Sequence, residues 1–401
     1  MKDIYYLYGT RVMVSEFAER NKDKYNIGGV IIGDYRDEKH SNFYLQFSEE
    51  EENVKNIPEA YEILELSRDI DIIKKGKIII CQMGIYTNGI EDCLDFFGFV
   101  YGEDYEYSAI LEAETSDRKI MILHGYYCFV RDLYIVLNSI DSFRGKYNLI
   151  PALYEEYPVY PYRRVMNQII SKTDVYIYNQ ESKPYFYLKS ELPRNCKVIS
   201  IPCINFGAFH PQILRKGAEY FNPLYIEPKG PTRIYVFGDK YVNEMILKGM
   251  SDESIFKAVS DENFIDRYES ERFFQRELRI MEVLERRCDV KITPFVKDRY
   301  KTTRLFPVCD HWTLGVAKEF ARQILELSEI QGIIDISTPP KRYNEVPIYP
   351  CVAKALGIEW VNENTGYYMH IGEERKYLNF EEYIYSYSDV MRAMYSIKKI
   401  W

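Results

Sequence analysis

The chain has 401 residues, 46% of them hydrophobic and 28% charged, which suits two globular domains each able to bury its own core. A formal net charge of −9 argues against a general nucleic-acid binder, because holding a phosphate backbone takes a surplus of Lys and Arg. No apolar run approaches the roughly 20 residues that span a bilayer, and Met1 to Tyr5 lack the pattern of a signal peptide. Eight scattered cysteines with no CxxC pair point to a reducing cytoplasm, most of the thiols acting as small buried hydrophobes.

In chain order, Ile4 to Tyr8 reads as a short buried strand ending at Gly9, followed by an amphipathic stretch with Val12, Phe17 and Ala18. Ile27 to Ile32 is a second strand, closing at Gly33-Asp34; Lys77 to Met83 is a third, and Ile90 to Phe99 a helix. Ser48 to Asn53, with its run of Glu, reads as a solvated loop. Alternating strands and helices predict a parallel, Rossmann-like sheet over residues 1–115. Gly9 stands where a dinucleotide fold places its phosphate loop, but Arg11 occupies the position of the second glycine. A structural or partner-binding role for this domain fits equally well.

The polar stretch Glu112 to Arg118 breaks the pattern, and a second, larger α/β domain with substantial helix is expected over residues 119–401. Its strand candidates are Lys119 onward, Asp174 to Tyr178, Lys197 to Ile201 and Arg233 to Phe237. Residues 241–286 read as helical, with Ser251 and Asp261 as caps and a stripe of Phe274, Leu278, Met281 and Leu284 facing the core. Asn379 with Glu382 three residues on predicts a capping box that opens a last helix.

Three segments carry chemistry, each joining an apolar strand or loop to a helix. The first is Leu123-His124-Gly125-Tyr126-Tyr127-Cys128, leading into helical Phe129 to Ile140. A thiol on a sharp turn at a helix start has the layout of a nucleophile elbow, where the helix end favours thiolate and backbone N–H groups can hold an oxyanion. The alternative is an inert buried thiol. The second is Gly207-Ala208-Phe209-His210-Pro211, where His210 is one of only five histidines. It is either a pocket histidine or one that packs its loop.

The third is Cys309-Asp310-His311-Trp312-Thr313, opening a helix to about Leu327. A neutral His at a helix N-terminus can act as a base. Asp310 is not taken as its orienting carboxylate, since neighbouring side chains usually point apart. The basic run Lys297 to Arg304 just upstream can meet phosphates or be a solvated loop. His40 and His370 read as surface residues, and no His/Cys/Asp/Glu spacing points to a metal.

In this order the three segments resemble the WcbI family of polysaccharide biosynthesis enzymes, whose members share a strand ending in Gly-Asn-Cys-Gln, a Gly-Tyr-His-Pro-type loop and an Asn-His-Pro-Thr before a helix. The counterparts here are Gly125-Tyr126-Tyr127-Cys128, Gly207 to Pro211 and Asp310-His311-Trp312-Thr313. Lys248-Gly249-Met250-Ser251, Cys288-Asp289-Val290, Arg304-Leu305-Phe306 and Tyr349 to Gly357 extend the resemblance over roughly residues 119–401. It implies a bacterial capsule enzyme that binds coenzyme A or acetyl-CoA and transfers an acyl group to a sugar hydroxyl. It further implies Cys128 as nucleophile or thioester-facing thiol, His311 as general base and His210 as a second pocket histidine. Gly125, Tyr126, Tyr127 and Arg304 are its expected coenzyme contacts.

The expected partners are acyl-CoA and a glycan precursor, with neither nucleic acid nor metal, and a homo-oligomer is left open. Departures lie at the site itself: Tyr127 stands in the family's cysteine position unless one residue is inserted, Asp310 replaces Asn, and Trp312 replaces Pro. A Cys/His esterase or deacylase and a non-catalytic glycan- or nucleotide-binding protein are the alternatives.

Overall fold

The protein is an α/β chain, described by a computed structural model for residues 3–9, 11–31, 61–81, 86–125, 127–153, 162–180, 189–213, 235, 237–336, 344–371 and 374–398. It divides into two compact units, residues 1–201 with 321–341, and residues 202–320 with 342–401.

The first unit holds two parallel sheets. Strands β1 (Ile4–Gly9), β2 (Asn26–Ile31), β3 (Ile63–Leu64), β4 (Lys77–Cys81) and β5 (Tyr105–Tyr107) line up in the order β3-β2-β1-β4-β5. Helices α1 (Arg11–Asn21), α2 (Ile70–Ile73), α3 (Tyr86–Phe96) and α4 (Ser108–Thr115) connect or follow them. This is the doubly wound order, and it explains why β4 is a continuous apolar run: Ile78 to Cys81 are all buried. Gly9 has a packing reason to be glycine, since a Cβ there would lie 2.2 Å from the Cys81 carbonyl oxygen on the paired strand. The stretch read as Ile90 to Phe99 is helical from Tyr86 and ends at Phe96. Gly33, Asp34, His40 and Ser48 to Asn53 lie outside the described residues.

The second sheet comprises β6 (Lys119–Gly125), β7 (Tyr147–Leu153), β8 (Val175–Asn179) and β9 (Lys197–Ile201), all parallel, in the order β7-β6-β8-β9. Helices α5 (Tyr127–Asn138), α6 (Asp141–Lys146) and α7 (Tyr162–Ile169) cross over between strands. The polar break at 116–118 is where the chain passes from one sheet to the other. The core does not stop there: Tyr6, Tyr8, Ile78 and Ile80 share one apolar cluster with Ile120, Ile122, Ile150 and Tyr176 and with Val165 and Met166 of α7.

A buried charge sits beside this cluster. Glu112 of α4 lies 3.4 Å from Arg20 of α1 and 3.8 Å from Arg118, and accepts from Asn21 Nδ2 at 3.1 Å. Arg20 and Glu112 are almost wholly enclosed, so removing Glu112 strips the buried Arg20 of its ion-pair partner. Glu112→Ala is therefore expected to destabilise the fold by about 3 kcal/mol in urea unfolding; a change below about 0.5 kcal/mol would show that the pair adds nothing.

Among its described residues the second unit is largely helical: α8 (Lys240–Leu247), α9 (Asp252–Val259), α10 (Arg267–Glu285), α11 (Thr293–Arg299), α13 (Pro350–Leu356) and α14 (Phe380–Lys398). An antiparallel pair, β10 (Tyr367–Ile371) with β11 (Glu374–Leu378), precedes α14. Helix α12 (Leu314–Leu327) begins in this unit and ends in the first.

Ser251 caps α9 as expected, accepting from Ser254 N, and Asn379 and Glu382 form the reciprocal capping box of α14 at 2.9 and 2.8 Å. Asp261 is not a cap. It accepts from Asn263 N in a local turn, and α10 is capped five residues later by Asp266. Of the strand expected at Arg233 to Phe237, only Tyr235 and Phe237 are described, and neither lies in a named strand. Phe274, Leu278 and Met281 of the α10 stripe are buried.

Asp239 caps α8 from a fully buried position, accepting from Tyr241 N, Val242 N and, at 2.5 Å, Tyr349 Oη. Burial pushes its carboxyl up to about 6, the hydrogen bonds offsetting only part of the desolvation. A folded-state pKa above the unfolded value of about 3.9 means that the folded protein binds the extra proton. Asp239 thus contributes stability that is present below about pH 4 and lost as the pH rises to about 6. The stability difference between the natural chain and Asp239→Asn should drift in that direction across this window; a flat difference would show that Asp239 does not titrate there.

Candidate active site

Open parallel sheets offer ligand crevices where neighbouring strands send their connections to opposite sides, beyond the strands' carboxyl ends. In the second sheet that point lies between β6 and β8, at Gly125 and Asn179. Gly125 ends β6, and a Cβ on it would meet Phe129 Cδ1 at 3.1 Å, Val130 Cγ2 at 3.4 Å and Asn179 Cβ at 3.5 Å. The missing side chain lets the first turn of α5 settle on the strand ends. Cys128 is the second residue of α5, on the turn where the helix dipole concentrates positive charge. Tyr126 lies outside the described residues, as do the side chains of Tyr127 and Cys128.

His124, one residue before Gly125, was quoted in the sequence but given no role. It is fully buried, its Nδ1 shares a hydrogen bond with Tyr176 Oη of β8, and its ring meets the Tyr176 ring edge-on at 5.8 Å. Desolvation pushes its pKa down to about 3, so the ring is neutral at any physiological pH. Four other thiols are held away from thiolate: burial pushes Cys196 up to about 11 and Cys288 to about 12, and raises Cys81 and Cys351.

The remaining expected residues belong to the second unit, where three segments interlock. Phe206 N donates to Cys309 O at 2.7 Å, joining the Gly207–His210 loop to the segment before α12. Residues 344–348 hold both: Val346 N donates to Pro307 O at 3.0 Å, and Val346 O accepts from His210 Nε2 at 2.9 Å. Because a carbonyl can only accept, His210 carries its proton on Nε2. His210 is buried, and buried Gln212 Nε2 donates to Pro347 O at 2.8 Å. His210 therefore packs and ties its loop. Buried Glu277 of α10 accepts from Gly207 N at 3.4 Å, a loop contact that the sequence did not announce.

His311 lies three residues ahead of α12, whose start is set by Thr313: its backbone oxygen accepts from Val316 N and Ala317 N, and its Oγ1 donates to Arg304 O at 3.0 Å. The expectation that Asp310 points away from His311 is overturned. Asp310 Oδ1 is 2.7 Å from His311 Nδ1. The reason is local: Val308 and His311 bridge across a tight turn at Cys309-Asp310, and such a turn brings adjacent side chains to one side. The carboxylate fixes the proton on Nδ1 and leaves Nε2 as the basic nitrogen, the division of roles found in hydrolytic triads. The His311 side chain keeps 18% of its surface exposed, enough to meet a ligand.

Arg304 is held by its own unit. Its Nη1 pairs with Glu345, its Nη2 donates to Gly366 O at 3.0 Å, and its guanidinium lies over the rings of Trp360 at 4.9 Å and Tyr367 at 5.1 Å. Both terminal nitrogens of the donor fork have structural partners. Arg304→Ala should cost about 2 kcal/mol of stability by losing the stack and the ion pair with Glu345. Unfolding midpoints equal to those of the natural chain would free Arg304 for the coenzyme role expected of it.

Among the described residues no group of three His, Cys, Asp or Glu is placed to hold a metal ion, and no helix is long and apolar enough to cross a membrane.

The family model described as "Polysaccharide biosynthesis enzyme WcbI" matches residues 163–332, a stretch that contains His210, Arg304 and His311 and begins after the Gly125–Cys128 turn. A solved structure of WcbI, described as a novel polysaccharide biosynthesis enzyme in its native form without a disulfide bond between coenzyme A and a cysteine, is similar in fold. The TM-score is 0.52 at 17% identity, over 70% of this chain and 93% of that one. No curated protein matches the chain. Residues 163–332, from α7 through α12, are thus similar to the WcbI family that the second and third motifs resemble.

Proposed function

We propose that the protein is a coenzyme A-dependent O-acyltransferase that moves an acyl group, acetyl in the simplest case, onto a sugar hydroxyl during surface polysaccharide biosynthesis. The observation that carries this reading is the Asp310–His311 pair at the start of α12. The WcbI-family match and the coenzyme A named for the solved relative support the choice of cofactor.

In this reading His311 Nε2 takes the proton from the acceptor hydroxyl while Asp310 holds Nδ1–H. The alkoxide oxygen forms a bond to the thioester carbonyl carbon, the C–S bond breaks, and the departing thiolate recovers the proton from the imidazolium. The reaction belongs in the cytoplasm, where acyl-CoA is made. Hydrolysis is the second reading, because the same Asp310–His311 pair can activate water.

The two roles are measured separately. Isothermal titration with coenzyme A and acetyl-CoA should show binding that His311→Ala preserves, while His311→Ala lowers turnover on a sugar acceptor by about a hundredfold or more. Asp310→Asn should lower turnover in the same direction with binding intact. Full turnover in His311→Ala would remove the base from the mechanism. Ester hydrolysis without coenzyme A would favour the second reading.

A further inference from the structure

The face of α10 opposite Phe274 and Glu277 borders a groove of about 760 Å³, closed on one side by Lys297 of α11. Its described lining carries four cations, Arg272, Arg276, Arg279 and Lys297, against two carboxylates, Glu269 and Glu282. That local surplus of positive charge occurs on a chain whose net charge is −9. Lys297 is paired with Glu282, and Arg276 leans over the Phe273 ring at 5.5 Å and approaches Glu277 at 3.8 Å. Among the described residues Arg272 and Arg279 form no salt bridge. Helical spacing places Arg272, Arg276 and Arg279 on one side of α10, about 6 Å and then about 4.5 Å apart along the axis.

We propose that this groove binds an extended acidic glycan, a chain of sugars bearing carboxylates. Three features favour that ligand. The guanidinium forks match carboxylates in pairs. The cations form a row about 10 Å long rather than a knot, so they suit a polymer with a charge on successive rings better than a compact diphosphate. Phe273 packs its ring against the Arg276 guanidinium and so steadies that fork within the row. The opposite face of α10 holds the His210 loop through Glu277 and Phe274, so the same helix serves the groove and the candidate catalytic segments. The inference rests on the polysaccharide part of the proposed function but not on acyl transfer.

The test is isothermal titration of the full chain with a hexamer of galacturonic acid, with uncharged maltohexaose as the reference probe. Hexamer binding that weakens as salt is raised is expected, with maltohexaose much weaker. The double variant Arg272→Glu/Arg279→Glu should lose about tenfold or more in affinity, whereas Lys248→Glu/Lys257→Glu, an equal charge change at exposed positions on other helices, should not. All four positions are exposed, so the variants should unfold like the natural chain. Equal hexamer affinity in the two double variants, or equal affinity for hexamer and maltohexaose, would overturn the proposal. So would a groove variant that loses coenzyme A or a single-stranded oligonucleotide while the natural chain ignores the hexamer. Hexamer binding in a chain that does not bind coenzyme A would leave the groove standing and remove the transferase reading.

Discussion

The second unit depends on how three distant segments lock around one aromatic cluster. Phe206 and Phe209 of the central loop pack among Phe274 of α10, Tyr300 and Phe306 with ring centroids between 5.1 and 6.3 Å apart, and Phe274 meets Tyr300 at 4.7 Å. Each such pair adds roughly 0.5–1.5 kcal/mol beyond its buried area. The larger consequence is geometric. With the rings interleaved, the Phe206–Cys309 and His210–Val346 hydrogen bonds form with little freedom left to lose. The turn at Cys309–Asp310 is then held in the shape that sets a carboxylate beside His311. A histidine on a freely moving loop would have to order itself to meet a ligand, whereas here folding has already ordered it.

Three histidines show how burial and partner choice set one side chain apart from another. His124 sits inside the second sheet with a tyrosine hydroxyl as its partner, and desolvation fixes it neutral. His311 has a carboxylate partner and a partly open ring, which is the arrangement of a base that gains and returns a proton. His210 has a backbone carbonyl as its partner and serves the loop. Only five histidines occur in the chain; His210 and His311 stand out in their motifs while His124 does not, and only their surroundings tell the three apart.

The same distinction marks what the sequence revealed. Strands buried on both faces, such as Lys77 to Cys81 and Lys119 to Gly125, write themselves as unbroken apolar runs, and local caps such as Asn379 with Glu382 lie three residues apart. Features closed by distant parts of the chain left no such trace. The Tyr176–His124 contact spans 52 residues, and Glu277 reaches Gly207 across 70. The core shared by the two sheets lay hidden behind the polar stretch Glu112 to Arg118, because a break in hydrophobic patterning marks a change of sheet as readily as a change of domain. At Asp310 the error came from treating a turn as extended chain, where adjacent side chains do diverge. At Asp261 a local turn imitated a helix cap, and the true cap, Asp266, stands closer to the first apolar turn of α10.

Helix α10 gathers these threads because its two faces answer to different demands. The inner face must be apolar and rigid, since Phe274, Leu278 and Met281 anchor the loop that carries His210 and touch the segment that leads to His311. The outer face has no packing to satisfy, and most residue types would serve a solvated helix equally well. It nevertheless carries Arg272, Arg276 and Arg279 in an otherwise acidic chain, and two of these form no salt bridge among the described residues. Concentrating like charges on one face destabilises a helix slightly. A binding surface for an acidic chain gives that cost a physical reason, and it would hold the acceptor polymer on the same rigid element that organises the candidate base.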